Sequence, residues 1–348
     1  MKISLLILLG LIVWPVAGFA QSEAYYRVGF YNLENLFHPS NDSLKRDDEF
    51  TPEGQRFWSF YKYREKTNRM AKAILSIGEY QPIDLLGLAE VENRLVLDDL
   101  IENPVLKKAN YRVVHYESPD RRGIDVAALY RPERLTLINS KAFPLKLDYD
   151  PGFRSRDVLY LQMSLDEFQD TLHIFYCHWP SRYGGQAQSE PKRRAAATLV
   201  RSLVDSLQKA YADPQIVIAG DFNDEWFNQS LSNDLRALDP KDFDGETSEL
   251  YNLMRSLDAN TGSHRYHGEW TYLDQIIVTG NLFTNSQLQI TNRQAHVVHH
   301  AFLMEEDEKY PGEKPFRTFI GFRFNGGFSD HLPVYINIVK DDKTQPQP

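Results

Sequence analysis

The stretch Gln215-Ile216-Val217-Ile218-Ala219-Gly220-Asp221-Phe222-Asn223-Asp224 constrains this chain more than any other. An unbroken β-branched run meets a glycine, and oxygen-bearing side chains follow at once. Such a run reads as a strand buried on both faces. Gly220 permits a tight exit or a close approach of another backbone. Asp221 and Asn223, two apart in extended chain, point to the same side. Taken alone this is also what a strand followed by an Asx turn looks like. Five other strand-like runs meet polar groups in the same way. Asn32, Glu90 and His178 follow their runs, whereas Asp274 and Asp330 precede theirs. For all of these ends to meet at one rim, strands must run in both directions. The sheets are therefore mixed, and the build is α+β or mixed α/β.

The segments between these runs supply helices and loops. Phe57 to Ile77 carries apolar residues at helical spacing and closes near Gly78. A second helix is expected from about Leu95 to Leu106. Pro191 to Tyr211 repeats Ala195, Leu199, Leu203 and Leu207 at four-residue intervals and is the clearest amphipathic helix. Asn228 to Tyr266 reads as helix and loop, and Glu305 to Gly327, charged and rich in Gly and Pro, as one long loop. No internal repeat or linker divides residues 21–340, which are expected to form one catalytic domain. Residues 1–20 have a basic start, an apolar middle and a small-residue end, the pattern of a secretory signal peptide. The expected location is secreted or periplasmic, with no transmembrane segment once the leader is cleaved. Residues 341–348 read as a disordered polar tail. Cys177 is the single cysteine, so no disulfide forms within the chain, and its apolar setting marks it as a buried small hydrophobe.

The pooled strand ends offer Asn32, Glu34, Glu90, His178, Asp221, Asn223, Asp274, Asp330 and His331. Carboxylates gathered in one place repel each other unless a cation joins them. Hard oxygen donors without thiolates favour Mg²⁺, Mn²⁺ or Ca²⁺ over Zn²⁺. Such a site suits phosphate-ester chemistry, and two imidazoles supply an acid and a base near neutral pH. Formal net charge is −9, so no blanket of positive charge serves non-specific polyanion binding. An anionic substrate needs the cation and local basic groups, for which Arg122, Arg156 and Arg182 are the candidates, with Trp179 as a stacking surface. The run of His296, His299 and His300 has a spacing that zinc can use, but a surface strand with unrelated histidines explains it as well.

These residues resemble the endonuclease/exonuclease/phosphatase superfamily, which includes DNase I, exonuclease III-type endonucleases, inositol polyphosphate 5-phosphatases and bacterial sphingomyelinases. The motifs are Tyr31-Asn32-Leu33-Glu34, Leu88-Ala89-Glu90-Val91, His178-Trp179-Pro180-Ser181, Gly220-Asp221-Phe222-Asn223, Leu273-Asp274-Gln275 and Ser329-Asp330-His331-Leu332-Pro333. Each is weak singly; six in the right order are strong. The resemblance implies a DNase I-like four-layer sandwich, two mixed β-sheets flanked by helices. It implies Glu90, Glu34, Asn32 and Asp330 around Mg²⁺, with Mn²⁺ or Ca²⁺ as alternatives. It implies His331 as general base oriented by Asp274, Asp221 and Asn223 aligning the nucleophile, and His178 at the leaving oxygen. Ala89 stands where the family often has glutamine. The function expected from all this is a divalent-metal-dependent phosphodiester hydrolase, an exported nuclease with little sequence preference, acting on a nucleic-acid phosphodiester without an obligate protein partner. Two other readings stay open: a phosphatase or phospholipase C-like enzyme on inositol phosphates or lipid head groups, and a non-catalytic binding protein on the same scaffold.

Overall fold

The computed structural model describes residues 25–284 and 288–340. The expected leader, residues 1–20, and the expected tail, residues 341–348, lie outside the described residues. In chain order the strands begin with β1 (Tyr25–Leu36), β2 (Leu85–Val91), β3 (Arg112–His115), β4 (Asp125–Tyr130), β5 (Leu135–Phe143) and β6 (Val158–Leu165). They continue with β7 (Asp170–His178), β8 (Gln215–Asp221), β9 (Ala237–Leu238), β10 (Leu250–Asn252), β11 (His264–Tyr266), β12 (Glu269–Thr271) and β13 (Asp274–Thr279). Shorter strands follow: β14 (Gln289–Ile290), β15 (His296–Val297), β16 (Met304–Glu306), β17 (Glu313–Pro315), β18 (Phe319–Ile320) and β19 (Arg323–Phe324); the last is β20 (Val334–Val339). Among the described residues three α-helices accompany them, α1 (Phe60–Ile77), α2 (Arg94–Ile101) and α3 (Gln186–Ala210).

Two large sheets result. One runs β14-β20-β1-β2-β4-β3 with β15 beside β20, and the other β5-β6-β7-β8-β13-β10-β9. Both are mixed: β1 and β2 are parallel while β20 and β4 run against them, and β7 and β8 are parallel while β13 runs against β8. The period-two alternation of β8 explains the layering. Val217 and Ala219 face the other sheet among Phe30, Leu85, Ile174 and Ile336. Ile216 and Ile218 face outward to Ala197, Val200 and Val204 of α3. On the opposite side Met70, Ile74 and Ile77 of α1 cover Leu86, Leu88 and Leu129. Helix, sheet, sheet and helix thus stack around three apolar layers, the sandwich that the strand directions require.

Where the sheets meet, side-chain volume is limited. A Cβ at Gly87 would lie 2.1 Å from the Tyr176 ring between the sheets; within the second sheet, one at Gly220 would lie 2.1 Å from the Cys177 carbonyl on the neighbouring strand. Gly220 therefore serves close backbone approach, and Cys177 beside it is fully buried.

Several boundaries differ from the sequence reading. Phe57 sits at φ 48°, so α1 starts later, capped by the Ser59 side chain accepting from the Lys62 amide. Helix α2 ends at Ile101, and a separate 3-10 turn covers Lys107–Ala109. Helix α3 begins at Gln186, ahead of Pro191, because Gly184 and Gly185 at φ 84° and 111° turn the chain into it first. The segment expected as helix and loop from Asn228 to Tyr266 has short helical turns at Ser230–Asp234, Pro240–Asp242 and Leu253–Ser256, and it also supplies β10, the edge strand β9 and one strand of the β11–β12 hairpin. The long loop after Glu305 folds into two short hairpins, β16–β17 and β18–β19.

Candidate active site

Three strand ends of the second sheet line up in register. His178 of β7 pairs with Asp221 of β8, and Asp221 pairs with Asp274 of β13. The row exists because the three apolar runs stop at the same level. The Asn32 amide crosses from the other sheet and donates to Asp221 Oδ2 at 3.1 Å. His331 enters from the segment before β20. Its backbone amide donates to Ser329 Oγ (3.1 Å), and that hydroxyl donates to the Asn32 carbonyl (2.7 Å). This locks the His331 ring against Asp274, with Nδ1 2.7 Å from Oδ2. Nε2 is left 3.8 Å from Asp221 Oδ2, and His178 Nε2 lies 3.6 Å from the same oxygen.

The first sheet delivers its carboxylates through irregular backbone. The β1–β2 register shifts between Asn32 and Leu36, and that of β2–β4 between Ala89 and Val91. Glu34, Asn35 and Glu90 all have positive φ, at 50°, 60° and 59°. Left-handed conformations in non-glycine residues cost roughly 1–3 kcal/mol each and persist only where neighbours enforce them. Here the Asn35 amide donates to Glu90 Oε2 at 2.9 Å, tying the two bulges together. A bulge re-aims a side chain, and Glu90 Oε1 consequently reaches within 3.8 Å of His178 Nε2.

Electrostatics set the two imidazoles apart. Burial alone would lower the proton affinity of His331, but Asp274, Asp221, the hydrogen bond to Asp274 and Asp330 raise it well above the usual value. His178 moves the other way: burial first, then the charges of Arg156, Arg122 and His331, hold it well below. His178 is thus a neutral hydrogen-bond donor at ordinary pH, suited to stabilising an oxygen rather than to acting as an imidazolium acid. Titratable groups pushed apart in this way mark divided acid–base roles.

Glu34 and Asp221 behave as carboxylates short of positive charge, whereas Asp330, despite its burial, is held below the ordinary carboxylate value by Arg317, His331 and His264. Burial, then Asp330, raises Glu34; burial and the charge of Asp274 raise Asp221. A cation placed among them would reverse both shifts. Arg317 supplies a positive charge between Glu34 Oε1 (3.2 Å) and Asp330 Oδ2 (2.9 Å). Glu34 also accepts from the Thr318 amide at 2.6 Å and the Phe319 amide at 3.3 Å. The buried Lys66 ammonium lies against Thr318 Oγ1, and burial lowers its proton affinity while Glu34, Asp330 and Glu90 raise it. Glu90, Glu34 and Asp330 are hard oxygen donors and fit a divalent cation. Glu34 would serve as a ligand only by exchanging Arg317 for it. Asn32 bonds to Asp221 and, through Oδ1, accepts from the Glu34 amide, so it orients the cluster from the inside.

Lys66, Arg317 and His264 carry no sequence signal. Lys66 sits on an otherwise basic helix, and Arg317 lies in a segment without periodicity. His264 Nδ1 is buried without a partner, its ring lies 4.9 Å from that of His331, and burial pushes its pKa down to about 4. Ligand atoms of His264, Asp330 and His331 lie within 4.8 Å of one another.

The other candidates fare differently. Trp179 is 2 % exposed and packs on Phe222 at 4.3 Å, so it is a core residue rather than a stacking surface, because the chain after β7 turns inward. Arg156 is buried and donates to the Trp179 carbonyl at 2.5 Å. It therefore acts on the site as a charge behind His178, not as a phosphate grip. Arg182 donates to the Asn223 carbonyl at 2.7 Å and pairs with Asp224 and Glu225, bracing the loop. The Asn223 side chain donates to the Trp179 carbonyl at 3.1 Å. Arg122 remains exposed, 3.9 Å from Asp120. His296, His299 and His300 pack separately, against Tyr335, Trp270 and Phe302, and form no shared ligand set.

Comparison with known proteins agrees with the fold. No curated protein matches the sequence. An endonuclease/exonuclease/phosphatase family protein of Bacteroides thetaiotaomicron superposes with a TM-score of 0.57 at 16% identity, over 92% of this chain and 99% of that one. A mannosyl-6-phosphatase of the same organism gives 0.56 at 16% identity, over 90% and 99%. D. rerio TDP2 complexed with single-strand DNA product gives 0.54 at 13% identity, over 91% and 99%. Proteins of this group are hydrolases acting on phosphoester bonds and are typically divalent-metal dependent. Residues 27–340 match the family profile, nearly the whole described chain, and on that extent the protein belongs to the Endonuclease/Exonuclease/phosphatase family.

Proposed function

We propose that this phosphoesterase is a divalent-metal-dependent phosphodiester hydrolase that cleaves nucleic acid with little sequence preference. We place its action outside the cytoplasm, after removal of residues 1–20. The observation that carries the reading is the pair of imidazoles on Asp221, one tuned up by Asp274 and the other tuned down by burial. A diester with a sugar alkoxide leaving group needs a base on one side and a donor on the other.

The division of labour follows from the contacts. His331 donates from Nδ1 to Asp274, which fixes the ring's orientation; the surrounding carboxylates favour a proton on Nε2 as well, and a cation that offset their charge would free Nε2 to take a proton from water. His178 donates toward the departing oxygen. Asn32 and Asn223 hold Asp221 in place from two sides. A cation held by Glu90, Glu34 and Asp330 would polarise a phosphoryl oxygen and stabilise the departing charge. Backbone phosphate carries no base identity directly, which is why little sequence preference is expected.

The test is a panel of plasmid DNA, RNA, inositol phosphates, sphingomyelin and phosphomonoesters, run with Mg²⁺ or Mn²⁺ and with chelator. The expected result is cation-dependent cleavage with the highest kcat/KM on a nucleic acid. Preference for a lipid or a monoester over every nucleic acid would overturn the nuclease reading, and inactivity on the whole panel would favour a binding protein.

A further inference from the structure

A cavity of about 430 Å³ opens beside the catalytic cluster and reaches Asp330. Its walls are the hairpins β11–β12, β16–β17 and β18–β19, each too small to stand alone. Ion pairs and hydrogen bonds brace β11–β12 to β16–β17. The Arg265 guanidinium pairs with Asp307 and donates to the carbonyls of Gly268, Pro311 and Glu313. Lys314 is likewise spent on Glu305 and Asp307. These two walls of the cavity are therefore preformed, as small-molecule sites usually are.

Two cations on its rim make no ion pair, although Lys309 Nζ lies 5.2 Å over the ring of its neighbour Tyr310. Lys309 and Arg323 are exposed, and among the described residues neither has a carboxylate within ion-pair distance. An aromatic platform stands between the hairpins. The Tyr266 ring is stacked on His267 at 4.0 Å and 14°, yet Tyr266 remains 64% exposed, so one face of the stack is open. Tyr310 continues the surface 6.0 Å beyond His267. An open aromatic face with cations outside any ion pair, beside a phosphoesterase centre, matches the chemistry of a nucleotide. A π-face stacks a base, and the cations meet a phosphate. A lipid would want contiguous exposed apolar surface, and among the cavity's lining residues Ile320 is the exposed aliphatic one.

We propose that this cavity binds the nucleotide next to the scissile bond, with its base on Tyr266 and its far phosphate on Lys309 and Arg323. The inference rests on the nucleic-acid reading above and names the surface that makes it possible. Arg317, which lines the same cavity and bridges Glu34 to Asp330, forms the wall shared by cavity and catalytic cluster.

The experiment measures binding of a fluorescein-labelled single-stranded hexanucleotide to the full chain by anisotropy in chelator. In parallel it compares kcat/KM on the unlabelled hexanucleotide and on methyl 4-nitrophenyl phosphate, which has no base and no second phosphate. Tyr266→Ala is expected to weaken Kd on the order of tenfold, the scale of one lost base–aromatic stack, while Tyr266→Phe keeps wild-type affinity. The double variant Lys309→Ala/Arg323→Ala is expected to flatten the slope of log Kd against log salt by roughly 0.7 for one lost phosphate contact. In both, kcat/KM on the hexanucleotide falls relative to that on the small diester. If the wild type cleaves nucleic acid but these variants bind and discriminate as it does, the cavity proposal fails and the nuclease reading stands. If the wild type hydrolyses the small diester but neither binds nor cleaves the hexanucleotide, both fail. Displacement by hexose 6-phosphate and not by thymidine 5′-phosphate, lost in Tyr266→Ala, would overturn the nucleotide assignment in favour of a sugar phosphate.

Discussion

Asp274→Asn separates positioning from charge more cleanly than any other single change at this site. Asp274 is 1% exposed, accepts from His331 through Oδ2, and has Oδ1 buried without a partner. The substitution preserves volume but removes the charge that lifts His331. If the amide oxygen keeps the imidazole contact, the new NH₂ occupies the position of Oδ1 with no acceptor, which costs about 1–3 kcal/mol. If the amide flips, Nδ1 must accept and the proton moves to Nε2, the nitrogen that has to be free. Either outcome leaves the base misplaced or in the wrong tautomer. A positioned general base is worth ~10²–10⁴-fold in rate, and the equivalent change in a Ser-His-Asp triad costs about 10⁴. Loss of Asp274 also lowers the pKa of His331, so the acid limb of the kcat/KM profile should move to lower pH. Stability should change little, because the unpaired amide and the lost attraction to His331 are partly offset within the carboxylate cluster. Asp274 is one of the charges that raises Asp221, so removing it relieves repulsion among buried carboxylates. The assay is a pH–rate profile on a simple diester with Mg²⁺, paired with thermal unfolding at pH 8 in chelator. A rate within tenfold of wild type and an acid limb at the same pH would refute the assignment of His331 as an Asp274-oriented base. A large fall in Tm would show that the rate loss had another cause.

Three further outcomes follow from the same contacts. Glu90→Gln should weaken Mg²⁺ or Mn²⁺ affinity in calorimetry and remove most activity while keeping the circular dichroism spectrum; unchanged affinity would remove Glu90 from the ligand set. In chelator, Glu34 and Asp221 have pKa values pushed up to about 7 from ordinary carboxylate values, so their contribution to stability is present at low pH and is lost as pH rises through 7. His331, raised well above its usual value, contributes in the same sense. The Tm gained on adding Mg²⁺ should therefore be larger at pH 8 than at pH 6, and an equal gain at both would mean that these carboxylates do not bind the cation. Gly87→Ala drives a methyl into the Tyr176 ring between the sheets and should cost about 1–3 kcal/mol in urea unfolding; an unchanged midpoint would show that the ring is free to move.

The strand ends were legible because burial on both faces forces an uninterrupted apolar run, and a polar residue at either end of such a run has little reason to be there except chemistry or a turn. That logic reaches Asn32, Glu90, His178, Asp221, Asp274 and Asp330, and the fold brings all six to one rim. It fails for Trp179, which follows the same kind of run but turns back onto Phe222, since an aromatic side chain is at home in either place. It fails again for the hairpins around the cavity. Strands of two or three residues are too short for alternation to register, so Glu305 to Gly327 looked like loop.

The deepest omission was the set of positive charges. Lys66 and Arg317 resemble any solvated basic residue in sequence, and only three-dimensional proximity gives them the partners Glu34 and Asp330. A carboxylate cluster announces itself by its position at strand ends, but the cations that balance it are defined by what surrounds them. The same asymmetry separates the proposed reacting groups from the proposed substrate contacts. The reacting groups sit on the regular scaffold, whereas Tyr266, Lys309 and Arg323 sit on short hairpins whose sequence carries no period.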